Sequence, residues 1–230
     1  VLSVYQPEIV RYLFAGTKPN SEFAISFDLD VIKIYEDYDR CERVYFGIDE
    51  VGEKKREKES RIYQLSQVRE VPTQPPLQLA FRHLCNLLQI HAGDIEAAID
   101  AYPDGETLQG AHRDKARVRA RCAWNWITTY APEDFRFRLR TSEDPVIALD
   151  DSMRTVVVTL RERIAAEYEE LDEKGVQELV YEVSRGAGVE PKAFFPVMYE
   201  ILVGKEQGPR LGGFIKTIGK ERFLSLLSPY

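Results

Sequence analysis

Three arginines, Arg113, Arg117 and Arg121, recur every fourth residue, and Trp124 continues the same stripe. On a helix this spacing gathers three guanidinium groups on one face. Such a row can neutralise successive phosphates, and an aromatic at its end can stack on an unpaired base. The alternative is a solvated arginine face with Trp124 packed against a neighbouring helix. A second group lies in Phe135-Arg136-Phe137-Arg138-Leu139-Arg140, where apolar and basic residues alternate as in an extended segment with one charged face; an ordinary connecting segment has the same pattern. A third group, Lys205, Arg210 and Lys216, surrounds Gly204, Gly208, Gly212 and Gly213. Those glycines would let backbone amides and a helix start near Leu211 approach a phosphate, with a plain surface loop as the alternative.

Catalytic chemistry has little to stand on. There is no GxSxG, HExxH or GxxxxGK[ST] pattern, and GKEQGPRLGG has neither the spacing nor the Ser/Thr of a phosphate-cradling loop. His83 and His91 flank Cys85 on one expected helix, but an i, i+8 pair with a thiol off that face is a poor metal site. His112 reads as a cap or a solvent contact. The acids from Glu167 to Glu173 read as a solvated face, so neither catalytic nor metal-binding residues are assigned. Cys41, Cys85 and Cys122 lie far apart without CxxC pairing, the pattern of reduced, buried thiols.

The elements that position these groups are helical. Around the basic loop, Pro191 suits a first helical position, with Phe194, Met198, Ile201 and Leu202 at helical spacing up to Gly204. Leu211, Phe214, Ile215 and Ile218 form a further helix, and Phe223, Leu224 and Leu227 a short last one. Upstream, Pro7 opens a helix, Asp28 or Asp30 caps the next, and 48–60 is mostly charge, an exposed loop or solvated helical extension. Phe23 to Phe27 reads as a short extended piece, and 62–76 as a connection ended by Pro72, Pro75 and Pro76. Beyond it come a helix from Leu77, a short one over 94–101, and a long one over 110–130 with Ala116, Ala120, Ala123, Ile127 and Tyr130 on one face. Asp151-Ser152 caps another, and 176–184 forms one more. The fold class is mainly α: a small helical unit over 1–72, then a bundle of six or seven helices over 73–230.

The 230 residues can bury one good core or two smaller ones. With 44% hydrophobic and 30% charged residues and no apolar run long enough to span a bilayer, a cytoplasmic protein without a membrane partner is expected. The chain opens on Val1 with no charged-then-apolar leader, so an upstream part is expected. The net charge of -7 argues against a protein basic all over, but the charges are segregated. Residues 107–140 carry eight Lys or Arg against three acids, and 204–222 five against two; 141–182 carry four against twelve. Such segregation lets a polyanion meet one face while another stays acidic. A helical module that binds a protein partner through the acidic stretch is the competing reading.

VYQPEIVRYLFAGTKPNSEFAISFDLDVIKIYEDYDRCERVYFG, with its Pro-Glu-Ile-Val-Arg-Tyr-Leu and Thr-Lys-Pro-Asn runs, resembles the segment after the KMSKS loop of class I lysyl-tRNA synthetases. CAWNWITTYAPEDFRFRL and GPRLGGFIKTIG are similar to the carboxyl-terminal helical cage with which that family and its glutamyl-type relatives hold the anticodon. The resemblance implies a stem-contact region over 1–72 and an anticodon-binding cage over 73–230. It implies tRNA, through its anticodon arm, as partner, together with the catalytic domain of the same polypeptide, in a monomer. The intact ligase would use ATP and Mg to make lysyl-AMP and charge tRNA, while this chain, lacking HIGH and KMSKS, would bind without catalysing and need no cofactor itself. A glutamyl-type parent is the alternative. On the resemblance, Arg113, Arg117, Arg121 and Lys205 meet phosphates. Trp124, Arg136, Arg138, Arg210 and Phe214 supply the base readers, Lys216 belongs to the basic loop, and Arg11 and Lys18 face the acceptor or D-stem side.

Overall fold

The computed structural model describes residues 1–230 except Pro19, Ser21, Phe23 and Ser142. Regular structure among the described residues is eleven α-helices and one 3-10 turn, with no strand, in keeping with a mainly α chain. No helix is long and apolar enough to cross a membrane. The chain divides into two compact units, Val1–Pro132 and Glu133–Tyr230.

The first unit holds α1 (Pro7–Ala15), α2 (Asp30–Tyr45), α3 (Glu53–Ser66), α4 (Phe81–Ile90), α5 (Ile95–Asp100) and α6 (Gly110–Thr129). Pro7 occupies the start of α1, where its missing N–H costs nothing. Helix α2 packs on α3 and α4, α3 on α1, and α6 on α4 and α5. Aromatic rings fill the centre: Tyr35 stacks on Phe81 at 3.8 Å, and the buried Trp126 donates its indole N–H to the Phe27 carbonyl at 2.9 Å. Ala116, Ala120, Ala123 and Ile127 are buried as their spacing predicts, whereas Tyr130 is exposed.

Local expectations are refined in four places. The charged stretch takes the helical of its two expected forms, and α3 extends into the expected connection as far as Ser66, where Tyr63 is buried and donates to Glu42 at 3.0 Å. The proline cluster is not where the compact units part. Gln78, just beyond it, donates to the Asp39 carbonyl at 2.9 Å and to Glu42 at 3.0 Å, which ties this stretch to α2. Asp28 accepts from the Asp30 amide at 3.1 Å, although Leu29 is the residue at the cap position of α2. Of the expected extended piece, Phe23 lies outside the described residues, and 24–27 is irregular.

The second unit begins with a stretch without regular structure, 133–141 and 143–150, followed by α7 (Asp151–Glu167), α8 (Glu173–Gly186), α9 (Pro191–Val203), α10 (Leu211–Ile218) and α11 (Lys220–Leu227). Asp150, rather than Asp151-Ser152, caps α7, its carboxylate accepting from the Met153 amide at 2.8 Å. Gly204 closes α9 in the left-handed conformation at φ 69°, which glycine adopts without strain. Helix α8 packs closely on α10, α7 on α8 and α11, and α9 on α8 and α11. This stretch is fixed to α9 by the Arg140 amide, which donates to the Leu202 carbonyl at 2.8 Å, and by the Arg140 side chain on the Glu200 carbonyl at 3.1 Å.

Candidate nucleic-acid interface

In the first unit the arginine stripe of α6 faces α5. Arg113 reaches Glu96 at 2.7 Å and Asp100 at 2.6 Å, and Arg117 reaches Glu96 at 2.7 Å and Asp114 at 3.0 Å. Glu96 and Asp100 stand one turn apart on α5, matching the spacing of Arg113 and Arg117 on α6; that register is the signal the sequence carried for this pairing. The side chain of Arg113 is only 13% exposed, so it serves α5 first. Arg121 is exposed and has no hydrogen bond or ion pair to a described residue, which leaves it the open cation of the row. Trp124 is half-buried, its ring against Gly93; a Cβ on Gly93 would come within 2.5 Å of the indole.

Hydrogen bonds from Arg117 and then Arg113 hold the Glu96 carboxyl down at about 2, against an ordinary value of 4.5. An acid with a depressed folded value contributes stability above its unfolded value and loses it as pH falls through the folded one. We expect the α5–α6 clasp to persist from pH 4.5 to near 2, and carbon-detected NMR titration should place Glu96 near the low value. In Arg117→Ala the resonance should titrate at higher pH; an unchanged midpoint would remove Arg117 as the cause.

In the second unit Arg136, Phe137, Arg138, Glu133 and Lys205 line one open depression. Lys205 turns its ammonium onto the carbonyls of Glu133 and Arg136, both at 2.7 Å, and so clips the loop after α9 to the turn over 133–136. Arg138 is exposed but bidentate on Asp144, at 2.6 and 3.0 Å; these bonds hold the Asp144 carboxyl well below the usual carboxylate range. The alternation expected for 135–140 is present: Arg136 and Arg138 are exposed and Leu139 is buried. Phe137 packs edge-on against Phe214 at 5.2 Å.

Two members of the third group are committed to packing. Phe214 is buried at 2% exposure, so its ring is not on offer to a base. Lys216 lies 3.8 Å over the Tyr168 ring and donates to the Tyr168 carbonyl at 2.9 Å, while the Tyr168 hydroxyl donates to the Lys216 carbonyl at 3.1 Å. Arg210 differs: it is exposed, directly precedes α10, and has no hydrogen bond or ion pair to a described residue. At the start of α10 the Gly212 amide already donates to Gln177 Oε1 at 2.9 Å, so that amide is not available to a phosphate. Arg11 donates to the Leu65 carbonyl at 3.2 Å, and Lys18 is exposed. Among the described residues no group of His, Cys, Asp or Glu is placed to hold a metal ion, and Cys41, Cys85 and Cys122 are buried thiols.

Residues 1–69 match the family model described as tRNA synthetases class I (K). Over its full length the chain is 43% identical to a lysine–tRNA ligase of Borrelia garinii, covering 44% of that protein, and 45% identical to one of Treponema pallidum, covering 43%. A lysine–tRNA ligase of Methanopyrus kandleri is 32% identical over 96% of the chain and 40% of its own length. The chain thus spans less than half the length of these relatives. Its first helices match a model of class I lysyl-type tRNA synthetases, and its whole length is similar to lysine–tRNA ligases.

Proposed function

We propose that this chain is the tRNA-binding portion of a class I lysine–tRNA ligase, that it grips the anticodon arm, and that activation of lysine with ATP and transfer to tRNA belong to the remainder of the ligase. The observation that carries this reading is the match of the whole chain to lysine–tRNA ligases while its sequence has neither HIGH nor KMSKS. Exposed cations support it. Arg121 in the first unit and Arg210 in the second are open to solvent without a partner among the described residues, and Arg136 and Arg138 rim an open depression. Arg113 and Arg117 can reach a phosphate only by leaving Glu96, and Lys205 acts by shaping the loop that carries Arg210. Contacts of this kind position the RNA without reading its sequence.

A tRNA(Lys) transcript titrated against the chain should bind at about 50 mM salt and lose affinity steeply toward about 200 mM, as phosphate neutralisation dictates. Arg210→Ala should weaken binding and reduce the salt slope by about one, the loss of one phosphate contact. Arg154→Ala, an exposed arginine on α7 within the acidic stretch, should leave both unchanged. Arg161 is a poorer control because its guanidinium donates to the Leu227 carbonyl at 3.3 Å. No binding at low salt overturns the proposal, and equal affinity of the Arg210 and Arg154 variants removes Arg210 from it.

A further inference from the structure

Tyr181 on α8 is 37% exposed although it is a large ring within a packed helical unit. The Phe195 ring of α9 meets it edge-on at 5.3 Å, and the Arg185 guanidinium lies 5.6 Å from its centroid. These contacts fix the ring's attitude while leaving part of it in water. The acids beside it on α8 are already neutralised: Glu182 pairs with Arg163 at 3.1 Å, and Glu178 with Lys174 at 3.6 Å. The cations facing solvent here are Arg185 and, one turn before Phe195 on α9, the exposed Lys192, neither of which pairs with a described acid.

The platform adjoins the basic loop. Tyr199, one turn beyond Phe195, donates its hydroxyl to the Pro209 carbonyl at 2.6 Å. Burial raises the Tyr199 hydroxyl above its ordinary value. Gly208 lies against the Tyr199 ring, where a Cβ would be 2.8 Å from Cδ1, so the loop approaches α9 closely two residues before Arg210. Aromatic faces and guanidinium planes both stack unpaired bases, and flanking cations take the attached phosphates.

We propose that Tyr181, buttressed by Phe195 and Arg185, is a stacking site for one unpaired nucleobase of the RNA, with its phosphate held by Arg185 or Lys192. This rests on the tRNA-binding reading and adds to it a site distinct from the depression lined by Arg136, Phe137 and Arg138.

The test is equilibrium binding of an unmodified tRNA(Lys) transcript to the unsubstituted chain, Tyr181→Ala and Tyr181→Phe, with a base-paired RNA hairpin closed by a stable tetraloop as second probe. Tyr181→Ala should weaken tRNA binding about tenfold, the size of one base–aromatic contact, and Tyr181→Phe should stay within about twofold because the ring remains. Hairpin binding should change less than twofold in both. Wild-type tRNA affinity in Tyr181→Ala overturns the stacking site while leaving tRNA binding intact; an equal loss in Tyr181→Phe overturns it too, since the hydroxyl would then be the contact. An equal loss on the hairpin reassigns the ring to general packing, and failure of the unsubstituted chain to bind the transcript overturns this site together with the reading beneath it.

Discussion

Replacing Asp39 with alanine should cost the first unit about 3–5 kcal/mol, read as a lower denaturant midpoint by tryptophan fluorescence, since both tryptophans lie on α6. Asp39 and Arg119 are 3% and 7% exposed and meet at 2.6 Å, with the guanidinium 4.9 Å from the Tyr35 ring centroid. Without the carboxylate, a buried guanidinium that cannot shed its proton is left without a counter-charge. Arg119→Met should cost less, because a carboxyl can escape burial by taking a proton, and burial already pushes the Asp39 carboxyl up against the pull of Arg119. An acid raised in the folded state makes that state bind protons more tightly, so the deficit of Arg119→Met should shrink as pH falls toward about 4, the unfolded carboxyl value. The Asp39→Leu, Arg119→Met pair should recover most of the loss. A double variant as unstable as Asp39→Ala would mean that the site depends on packing rather than on unpaired charge.

That pair also marks where the sequence stops being informative. Arg119 sits among the arginines of α6, and only its place on the alanine face distinguishes it from Arg117 and Arg121. Its partner is 80 positions away in the chain, beyond any helical spacing rule. The helices themselves were legible because their signals are local. Pro7 and Pro191 start α1 and α9, Gly204 ends α9, and the Ala116–Ile127 spacing defines the inward face of α6. The charge run over 53–60 hid α3, whose buried residues are few: Glu59, Tyr63 and Ser66. The proline cluster suggested a boundary by composition, yet compactness is decided by side chains such as Gln78 that bond back to α2.

The same distinction applies to the cations. Their positions could be read as a basic set, but which of them remain open depends on where acids and carbonyls fall in space. Arg113, Arg117, Arg138, Lys205 and Lys216 are engaged by Glu96, Asp144, two carbonyls of the 133–136 turn and Tyr168, whereas Arg121 and Arg210 have no such partner among the described residues. Charge and spacing in the sequence therefore identify the three basic groups, while the structure separates their open cations from their engaged ones. Tyr181 was missed because a single tyrosine in an acidic helix carries no pattern; its exposure and its neighbours single it out.

The glycines before and within α10 serve packing as much as freedom, and adjacent positions should respond oppositely to the same substitution. Gly212→Ala should destabilise the second unit by about 1–3 kcal/mol, the range for forcing atoms into a filled site. Its new Cβ would stand 2.5 Å from the Glu173 carbonyl oxygen and 2.8 Å from the Gln177 amide nitrogen, both backbone atoms of α8 that cannot swing aside. Pushing α10 away would also stretch the buried 2.9 Å bond from the Gly212 amide to Gln177. At Gly213 the nearest atom is the tip of the Glu173 side chain at 3.1 Å, which can rotate out of the way. Gly213→Ala should therefore be neutral or stabilising by up to about 1 kcal/mol, the gain in helix propensity. Thermal unfolding followed by circular dichroism gives the comparison directly. Equal midpoints for the two variants would mean that α10 is not seated on α8 through Gly212.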